Sequence, residues 1–262
     1  MMKLPFDNIL PCGVCSFSSV GELIPCRAVS RIPQNAKSVI VYLFPYYLGE
    51  EYYKNSNISK YAVPQDYHII VKNYLEKICA ELKNQYTDGV FECFCDNSPI
   101  NEVEAAALCG LGVKGRNGLL INERYGSFCF IGEIVTDVEL PCSLPEDRAC
   151  LCCGLCEKKC PGGALTDFKV DKAKCLSHIT QKKGELSRSE EELIKNSGII
   201  WGCDICQNIC PMNRDVEITP VKEFFEAAKA TYLPGDDIEN RAFSWRGRAV
   251  VDRNFKINCC KD

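Results

Sequence analysis

Two cysteine-rich stretches decide the fold of this chain: CLCCGLCEKKCP over residues 150–161 and CDICQNICP over residues 203–211. Each stretch repeats cysteine at a three-residue step and ends on a cysteine that precedes proline. A loop with two residues between successive cysteines can wrap three thiolates around one 4Fe-4S cluster, and in two-cluster ferredoxins the cysteine before proline ligates the other cluster. The two stretches therefore predict two 4Fe-4S clusters that exchange ligands.

This exchange divides the cysteines into two predicted ligand sets. The first cluster is assigned Cys150, Cys153, Cys156 and Cys210. The second cluster is assigned Cys160, Cys203, Cys206 and, as the candidate for its remaining corner, Cys175. Cys152 adjoins Cys153 but would break the three-residue step, so we treat it as a non-ligand.

Zinc and disulfide bonds are the alternatives for these cysteines. A structural zinc site needs only four ligands and has no use for a cysteine before proline in both stretches. Near the N-terminus, Asp7 and Asn8 stand where a signal peptide would need an apolar run. We therefore expect a cytoplasmic protein in a reducing compartment, where disulfides are rare.

The composition is that of an ordinary globular protein. With 262 residues and 46% hydrophobic content, the chain can bury a sizeable core and form a second small domain. The longest apolar run, near residues 38–45, is far shorter than the ~20 residues that a membrane-spanning helix requires. We expect no membrane span.

The charge pattern leaves a role in nucleic-acid binding open. A net charge of -4 argues against capture of nucleic acid by the whole surface, but not against a local basic face. A basic cluster occurs near the C-terminus and comprises Arg241, Arg246, Arg248, Arg253 and Lys256. These side chains either form a solvated helix face or contact phosphates.

The first 141 residues predict a mixed α/β domain. Residues 36–46 are rich in β-branched and aromatic side chains and indicate a buried strand. Apolar residues at helical spacing indicate a helix over 66–86, and a second strand is predicted at 89–95, followed by a helix at 102–108. Asp96 would then lie at the end of a strand, on a loop.

The rest of the chain is predicted to contain a hairpin and a cluster domain. Residues 119–122 and 127–136 are expected to pair with each other around a turn. The second domain, residues 142–262, is predicted to have helices at 171–181, 189–195 and 219–230 and a C-terminal helical segment. A capping box is expected from Ser189 to Glu192. Cys175 would lie on the first of these helices.

The front domain has neither a GxGxxG fingerprint nor a Walker loop. Short blocks of sequence outside the cysteine spacing indicate a particular family, whereas the spacing alone fits many ferredoxins. These blocks are Tyr61-Ala62, Asp66-Tyr67-His68, Asp96 with Pro99, Gly110-Leu111-Gly112, Gly115-Arg116-Asn117-Gly118-Leu119-Leu120, Gly126-Ser127, Gly132-Glu133, Cys175-Leu176-Ser177 and Gly202-Cys203-Asp204. Together with the eight cysteines, they give a chain that resembles the epoxyqueuosine reductase family. These are cobalamin-dependent iron-sulfur enzymes related to reductive dehalogenases.

The resemblance implies a fold and a reaction. The expected fold is an α/β (α+β) cobalamin-binding, reductase-like domain (1–141) followed by a two-cluster ferredoxin-like domain (142–262). In the family a corrinoid lies between the two domains, and the clusters deliver electrons one at a time to its cobalt. The epoxide oxygen of epoxyqueuosine in tRNA is then removed to give queuosine.

The resemblance also implies the roles of particular residues. Asp96 matches the carboxylic acid that donates a proton to the departing epoxide oxygen, although on its own it would be taken for a loop-capping aspartate. We expect a partly dehydrated site to raise the pKa of Asp96, so that it is protonated near neutral pH. The candidate cobalamin contacts are Arg116, Asn117, Ser177 and Asp204. His68 is expected to be a packed or exposed residue that need not ligate cobalt.

Three functions remain open from the sequence. The first is a short epoxyqueuosine reductase that acts on tRNA, with the basic cluster substituting for the helical-repeat tail of many family members. The second is a corrinoid-dependent reductase of a small molecule, and the third is a non-catalytic two-cluster electron-transfer protein. The expected partners are tRNA and a low-potential electron donor such as ferredoxin or flavodoxin, and the expected state is a monomer.

Overall fold

The computed structural model describes residues 3–259 and divides into two compact units. Unit 1 consists of the residues up to Pro45, Tyr67–Lys114 and Leu119–Cys150, and unit 2 of Tyr46–Asp66, Gly115–Gly118 and the residues from Leu151 onward. These units are not the two consecutive segments expected from the sequence, because two front segments pack with the cysteine-rich part. Backbone hydrogen bonds of 2.8 Å from Ser59 to Trp201 and 2.7 Å from Ile200 to Asn57 tie one of them into unit 2.

Unit 1 contains six strands and two α-helices within the described residues. The strands are β1 (Cys12–Ser16), β2 (Ser38–Pro45), β3 (Phe91–Cys95), β4 (Val113–Lys114), β5 (Leu120–Ile121) and β6 (Cys129–Thr136). The helices are α1 (Tyr67–Gln85) and α2 (Glu102–Leu108). Strands β1, β2, β6 and β3 form, in that order, one antiparallel sheet. An antiparallel sheet with helices against it is an α+β arrangement.

The predicted strand at 36–46 and the predicted helix at 66–86 correspond to β2 and α1. All eight residues of β2 are buried, as expected of a central strand with both faces covered. Helix α1 packs against β3 and β6 through Val71, Leu75 and Ile78. Gly132 of β6 permits this contact, because a Cβ there would lie 3.0 Å from the Leu75 side chain.

The predicted hairpin between 119–122 and 127–136 is wrong. Strand β5 pairs with β4, and β6 pairs with β2 and β3. Only the isolated bridge between Asn122 and Gly126 remains of the expected pairing. Alternation of apolar and polar side chains predicts that a segment forms a strand, but it does not predict the partner. Tertiary packing places β6 between β2 and β3 in the sheet, with its last six residues buried.

Unit 2 is built from short elements. Its strands are β7 (Leu165–Thr166) and β8 (Lys169–Val170), and its α-helices are α3 (Leu155–Lys159), α4 (Leu176–Thr180), α5 (Arg188–Ser197), α6 (Ile205–Asn208), α7 (Glu223–Glu226) and α8 (Arg248–Cys259). Over the described chain, 3-10 turns occupy Phe17–Ser19, Arg27–Arg31, Glu50–Tyr53, Lys60–Ala62, Pro211–Asn213 and Ser244–Arg246. Among residues 3–259, no helix combines the length and the apolar character needed to cross a bilayer.

Two of the predicted helices in unit 2 are shorter than expected, and one begins earlier. The helix predicted at 171–181 is α4, and Cys175 is its N-cap and not a residue within it. The helix predicted at 219–230 is only α7. The capping box of α5 joins Ser187 to Glu190, because both Ser187 and Ser189 are followed by a glutamate three residues later and only the first pair lies at the helix start.

A buried polar network supports the core of unit 2. The Trp201 side chain is fully buried, and its Nε1–H donates to the Tyr61 hydroxyl at 2.7 Å. Asn254 of α8 is also fully buried, and its amide donates to the carbonyls of Thr180 at 2.7 Å and Ile200 at 2.8 Å. Buried polar groups that are paired in this way fix one arrangement of short elements.

Candidate functional site

Asp96 follows directly on β3, as the sequence predicts. Asp96 and Asn97 have φ angles of 55° and 40°, in the left-handed region that aspartate and asparagine tolerate better than most residues. The chain therefore reverses sharply at the end of the strand. The Asp96 side chain is 58% exposed, so the turn presents the carboxylate at the surface of unit 1.

The first turn of α1 holds this carboxylate. The Tyr67 hydroxyl donates to Asp96 Oδ2 at 3.0 Å, and His68 Nε2 lies 3.3 Å from the same oxygen. The Asn97 backbone N–H donates to Oδ1 at 3.1 Å. The Tyr67 ring stacks between His68 and Phe130, with centroids 4.0 Å from each, which limits its rotation. Our expectation of a merely packed or exposed His68 missed its contact with Asp96.

These contacts overturn the expected titration of Asp96. The hydrogen bond from His68 and those from Tyr67 and the Asn97 backbone lower the pKa of Asp96 below its usual range, and they outweigh the effect of burial. The predicted rise is therefore wrong, because the neighbours stabilise the charged form. At neutral pH Asp96 is a carboxylate, and it must receive a proton before it can donate one.

A cavity of about 110 Å³ lies beside Asp96 within unit 1. Its lining residues are Tyr67, Asp96, Glu102, Val103, Leu119, Leu120, Ser127, Cys129, Phe130 and Ile131. Burial, followed by the nearby charge of Asp96, raises the pKa of Glu102 to about 7. The position of Glu102 in the first turn of α2 favours its carboxylate, but a helix dipole worth roughly 0.3–1 kcal/mol lowers a pKa by less than about one unit.

A second buried carboxyl group supports the same loop. Glu133 of β6 is 1% exposed and accepts a short hydrogen bond from the Ser98 hydroxyl at Oε2, whereas its Oε1 is buried with no hydrogen-bond partner. Burial raises the pKa of Glu133 to about 8. The Ser98 hydroxyl also accepts the Ile100 N–H at 3.1 Å. Glu133 thus fixes the loop that carries Asp96.

The residues predicted for the second cluster come together in unit 2. Burial raises the pKa of Cys203 to about 11 and that of Cys206 to about 12, and the charges of Asp204, Cys175 and Cys160 act in the same direction on both thiols. The Ala164 N–H donates to Cys160 Sγ at 3.2 Å, the kind of hydrogen bond that tunes cluster sulfurs. These four thiols are close enough to influence one another, which fits a four-thiolate ligand set.

The cysteines predicted to bind the first cluster lie on or near α3 and α6, two helices that pack against each other. Cys156 lies on α3, and Cys210 follows α6. Cys152 has a φ of 51° and Gly154 a φ of 70°, so the backbone reverses on both sides of Cys153. Cys150 is the last residue of unit 1, and its role as a ligand stays a prediction.

The four candidate cobalamin contacts all lie in unit 2. The Arg116 guanidinium donates to both carboxylate oxygens of Glu157, at 2.9 and 3.1 Å. Asp204 is buried, accepts from the Lys60 N–H at 2.6 Å, and has its pKa raised by burial to about 6. Asn117 is buried, and Ser177 is half-buried in α4. The contact roles stay predictions, and Arg116 and Asp204 also have structural partners.

The basic cluster near the C-terminus is not a single phosphate-binding face. Arg241 is 8% exposed, and its guanidinium donates to the carbonyls of Ala62 at 2.8 Å, Ala227 at 3.1 Å and Lys229 at 2.7 Å. Arg253 donates to the Gly184 carbonyl at 2.6 Å. The sequence shows these charges, but it does not show that the Arg241 side chain links three backbone segments of unit 2 through hydrogen bonds.

We therefore expect Arg241→Met to destabilise the protein and not to act through RNA. Loss of the guanidinium leaves three carbonyls without their donor, and each buried unsatisfied group costs roughly 1–3 kcal/mol. Chemical unfolding should show a loss of about 2 kcal/mol or more. The control is Arg188→Met, an exposed residue paired with Glu192, which should change stability by less than about 0.5 kcal/mol. Equal unfolding midpoints for both variants would contradict this role of Arg241.

Comparison with known proteins identifies both parts of the chain. A family model described as a 4Fe-4S double cluster binding domain matches residues 149–213, and one described as epoxyqueuosine reductase QueG, DUF1730, matches residues 27–97. The first match confirms the prediction of two 4Fe-4S clusters. It does not test which cysteines bind each cluster.

Curated relatives extend the match over most of the chain. The epoxyqueuosine reductase of Cyclobacterium marinum is 33% identical over 236 residues, which cover 88% of this chain and 73% of the relative. That of Escherichia coli is 36% identical over 179 residues, which cover 68% of this chain and 46% of the relative. The chain thus spans less than half the length of the latter.

Solved structures confirm the α/β (α+β) fold. An epoxyqueuosine reductase from Streptococcus thermophilus superposes with a TM-score of 0.77 at 25% identity, over 95% of this chain and 76% of that one. An epoxyqueuosine reductase solved with a tRNA-Tyr epoxyqueuosine-modified stem loop gives a TM-score of 0.81 at 20% identity, over 96% and 78% of the two chains. From the shared fold and the identity to its curated relatives, the chain belongs to the epoxyqueuosine reductase family of oxidoreductases.

Proposed function

We propose that this protein reduces the epoxide of epoxyqueuosine in tRNA to queuosine, with two 4Fe-4S clusters and cobalamin as cofactors. The observation that carries this proposal is the carboxylate of Asp96, held by Tyr67 and His68 beside a cavity. It occurs in a chain that also has a double-cluster domain. When bound, cobalamin supplies a reduced metal centre able to drive cleavage of a carbon–oxygen bond.

The part of Asp96 in this reaction is proton transfer. An epoxide oxygen leaves poorly as an alkoxide, so a positioned acid must protonate it as the C–O bond breaks. Tyr67 and His68 meet the same Asp96 oxygen and so orient the carboxyl group. Because both contacts come from one helix turn, the carboxyl is held in one direction before substrate arrives.

Seven of the eight predicted cluster ligands and all four candidate cobalamin contacts are in unit 2, whereas Cys150 is the last residue of unit 1. The ligands in unit 2 are Cys153, Cys156, Cys160, Cys175, Cys203, Cys206 and Cys210, and the candidate contacts are Arg116, Asn117, Ser177 and Asp204. Electron transfer from clusters to a corrin requires the two to be held near each other. A shared unit provides residues for both.

An exposed aromatic surface supports tRNA as the substrate. Trp245 is 55% exposed, and the Arg246 guanidinium lies 3.9 Å from the centre of its ring. Unpaired bases of RNA loops stack on aromatic side chains and on arginine planes. We further propose that the protein works as a monomer in the cytoplasm, and that a low-potential donor such as ferredoxin or flavodoxin reduces its clusters.

Anaerobic reconstitution with iron, sulfide and cobalamin, followed by an assay of queuosine in epoxyqueuosine-containing tRNA, tests the proposed function. We expect queuosine to form only when tRNA, cobalamin and a reductant are all present. Binding of an anticodon stem-loop should weaken as salt rises, because phosphate contacts release counterions. Cobalamin binding without any reaction on tRNA would indicate another substrate, and absence of cobalamin binding would indicate an electron carrier.

A further inference from the structure

The proposed reaction needs two protons, and Asp96 can hold only one. Removal of an epoxide oxygen as water, with a carbon–carbon double bond left behind, consumes two electrons and two protons. The clusters account for the electrons. Asp96 is moreover ionised at neutral pH, because His68, Tyr67 and the Asn97 backbone stabilise its carboxylate. Asp96 must therefore be protonated anew for each proton that it delivers, and a second acid in the same site can do this.

The Asp96 cavity contains one other carboxyl group, that of Glu102, among the residues that line it. Glu102 and Asp96 line the same cavity, and the negative charge of Asp96 acts on the Glu102 carboxyl. The charges of Glu102 and Glu133 also interact. Glu133 is joined through the Ser98 hydroxyl to the loop that carries Asp96.

We propose that Glu102 is the proton reservoir of this cavity and passes its proton to Asp96. The inference rests on the proposed function. In each transfer the O–H bond of the Glu102 carboxyl breaks and an O–H bond forms on the Asp96 carboxylate. Asp96 then gives this proton to the substrate oxygen, and Glu102 regains a proton from water. Two such transfers deliver the two protons of one turnover.

The surroundings of Glu102 suit this role. The titratable groups that line the cavity together with Glu102 are Tyr67 on α1, Asp96 after β3 and Cys129 on β6. The charge of Glu133, also on β6, interacts with that of Glu102. Lys114 on β4 is paired with Glu104 of α2, at 3.1 Å. With burial and the negative charge of Asp96 acting on it, Glu102 has a pKa of about 7. It therefore exchanges its proton within the range where the protein would work.

The proton on Glu102 can be observed without turnover. In the cluster-loaded protein, infrared titration should reveal a protonated carboxyl band that disappears as pH rises through about 7. The band should be absent from Glu102→Gln and unchanged in Glu104→Gln, a variant of an exposed residue two positions further along α2. In Asp96→Asn its midpoint should fall, because the negative charge that opposes ionisation of Glu102 is removed. Glu133→Gln identifies the separate band of Glu133.

Turnover gives the second readout. Wild-type queuosine formation should decline as pH rises through about 7, and Glu102→Gln should slow it roughly tenfold or more and remove that decline. Glu102→Asp should restore part of the rate. A titrating band that persists in Glu102→Gln, a midpoint unaffected by Asp96→Asn, or a wild-type pH profile in Glu102→Gln would overturn the proposal. If the wild-type protein forms no queuosine, the proposed function fails, while the infrared titration still decides whether Glu102 holds the proton.

Discussion

The Cys153→Ser variant should retain about four iron atoms per chain where the wild-type protein holds about eight, and it should form no queuosine. Cys153 is predicted to bind the first cluster, and a serine hydroxyl is a poor substitute for a thiolate ligand. With one of its four ligands gone, that cluster should be lost or unstable. The second cluster has its own ligand set and should remain. Iron and sulfide analysis after anaerobic reconstitution measures this result.

Cys152→Ser is the matched control for this prediction. Cys152 adjoins Cys153 and is also exposed, but its left-handed φ of 51° turns the backbone one residue before the predicted ligand. The control should keep about eight iron atoms and full activity. The opposite pattern, with iron lost only from Cys152→Ser, would transfer the ligand to Cys152. Full iron in both variants would remove Cys153 from the set.

The Asp96→Asn variant should lose turnover by roughly a factor of 10²–10⁴, the contribution typical of a positioned general acid. Asparagine has nearly the same shape and can still accept the hydrogen bond from Tyr67, but it has no acidic proton. The clusters should therefore be intact and cobalamin should still bind. Single-turnover formation of queuosine, together with the iron content and the visible spectrum, separates chemistry from cofactor loss.

Asp88→Asn provides the control for Asp96→Asn. Asp88 is an exposed aspartate shortly before β3, whereas Asp96 directly follows that strand. The control should have wild-type activity. If Asp96→Asn also turned over at close to the wild-type rate, Asp96 would not be the proton donor, and its contacts with Tyr67 and His68 would be structural.

Local patterns in the sequence predicted most of the elements of unit 1, but not β1 or β4. The predicted helix at 102–108 is α2, and the strand predicted at 36–46 contains β2. The strand was predicted from its β-branched and aromatic residues, and the helix from the turn that precedes it. Unit 2 was harder, because its helices are short and surround the cysteines. A helix of five residues such as α4 has too few turns to produce a periodic pattern.

Of the candidate site, too, the sequence predicted one part and the folded structure was needed for the rest. Asp96 could be chosen from its place after a predicted strand and from the family resemblance. Tyr67 and His68 stood in a block of that resemblance, but their contact with Asp96 joins residues 28 and more positions apart. Glu102 looked like an ordinary acidic residue in a first helix turn. Only the folded chain shows that it lines the Asp96 cavity.

The sequence by itself determined the two-cluster domain, the central strand and long helix of unit 1, and the position of Asp96, because each depends on spacing between nearby residues. The tertiary structure decided the partners of β6, the burial of Arg241 and the ionisation of Asp96. Ionisation depends on which donors and charges surround a carboxyl group in space. His68 and Tyr67 hold Asp96 as a carboxylate, whereas burial beside that charge lets Glu102 keep its proton near neutral pH.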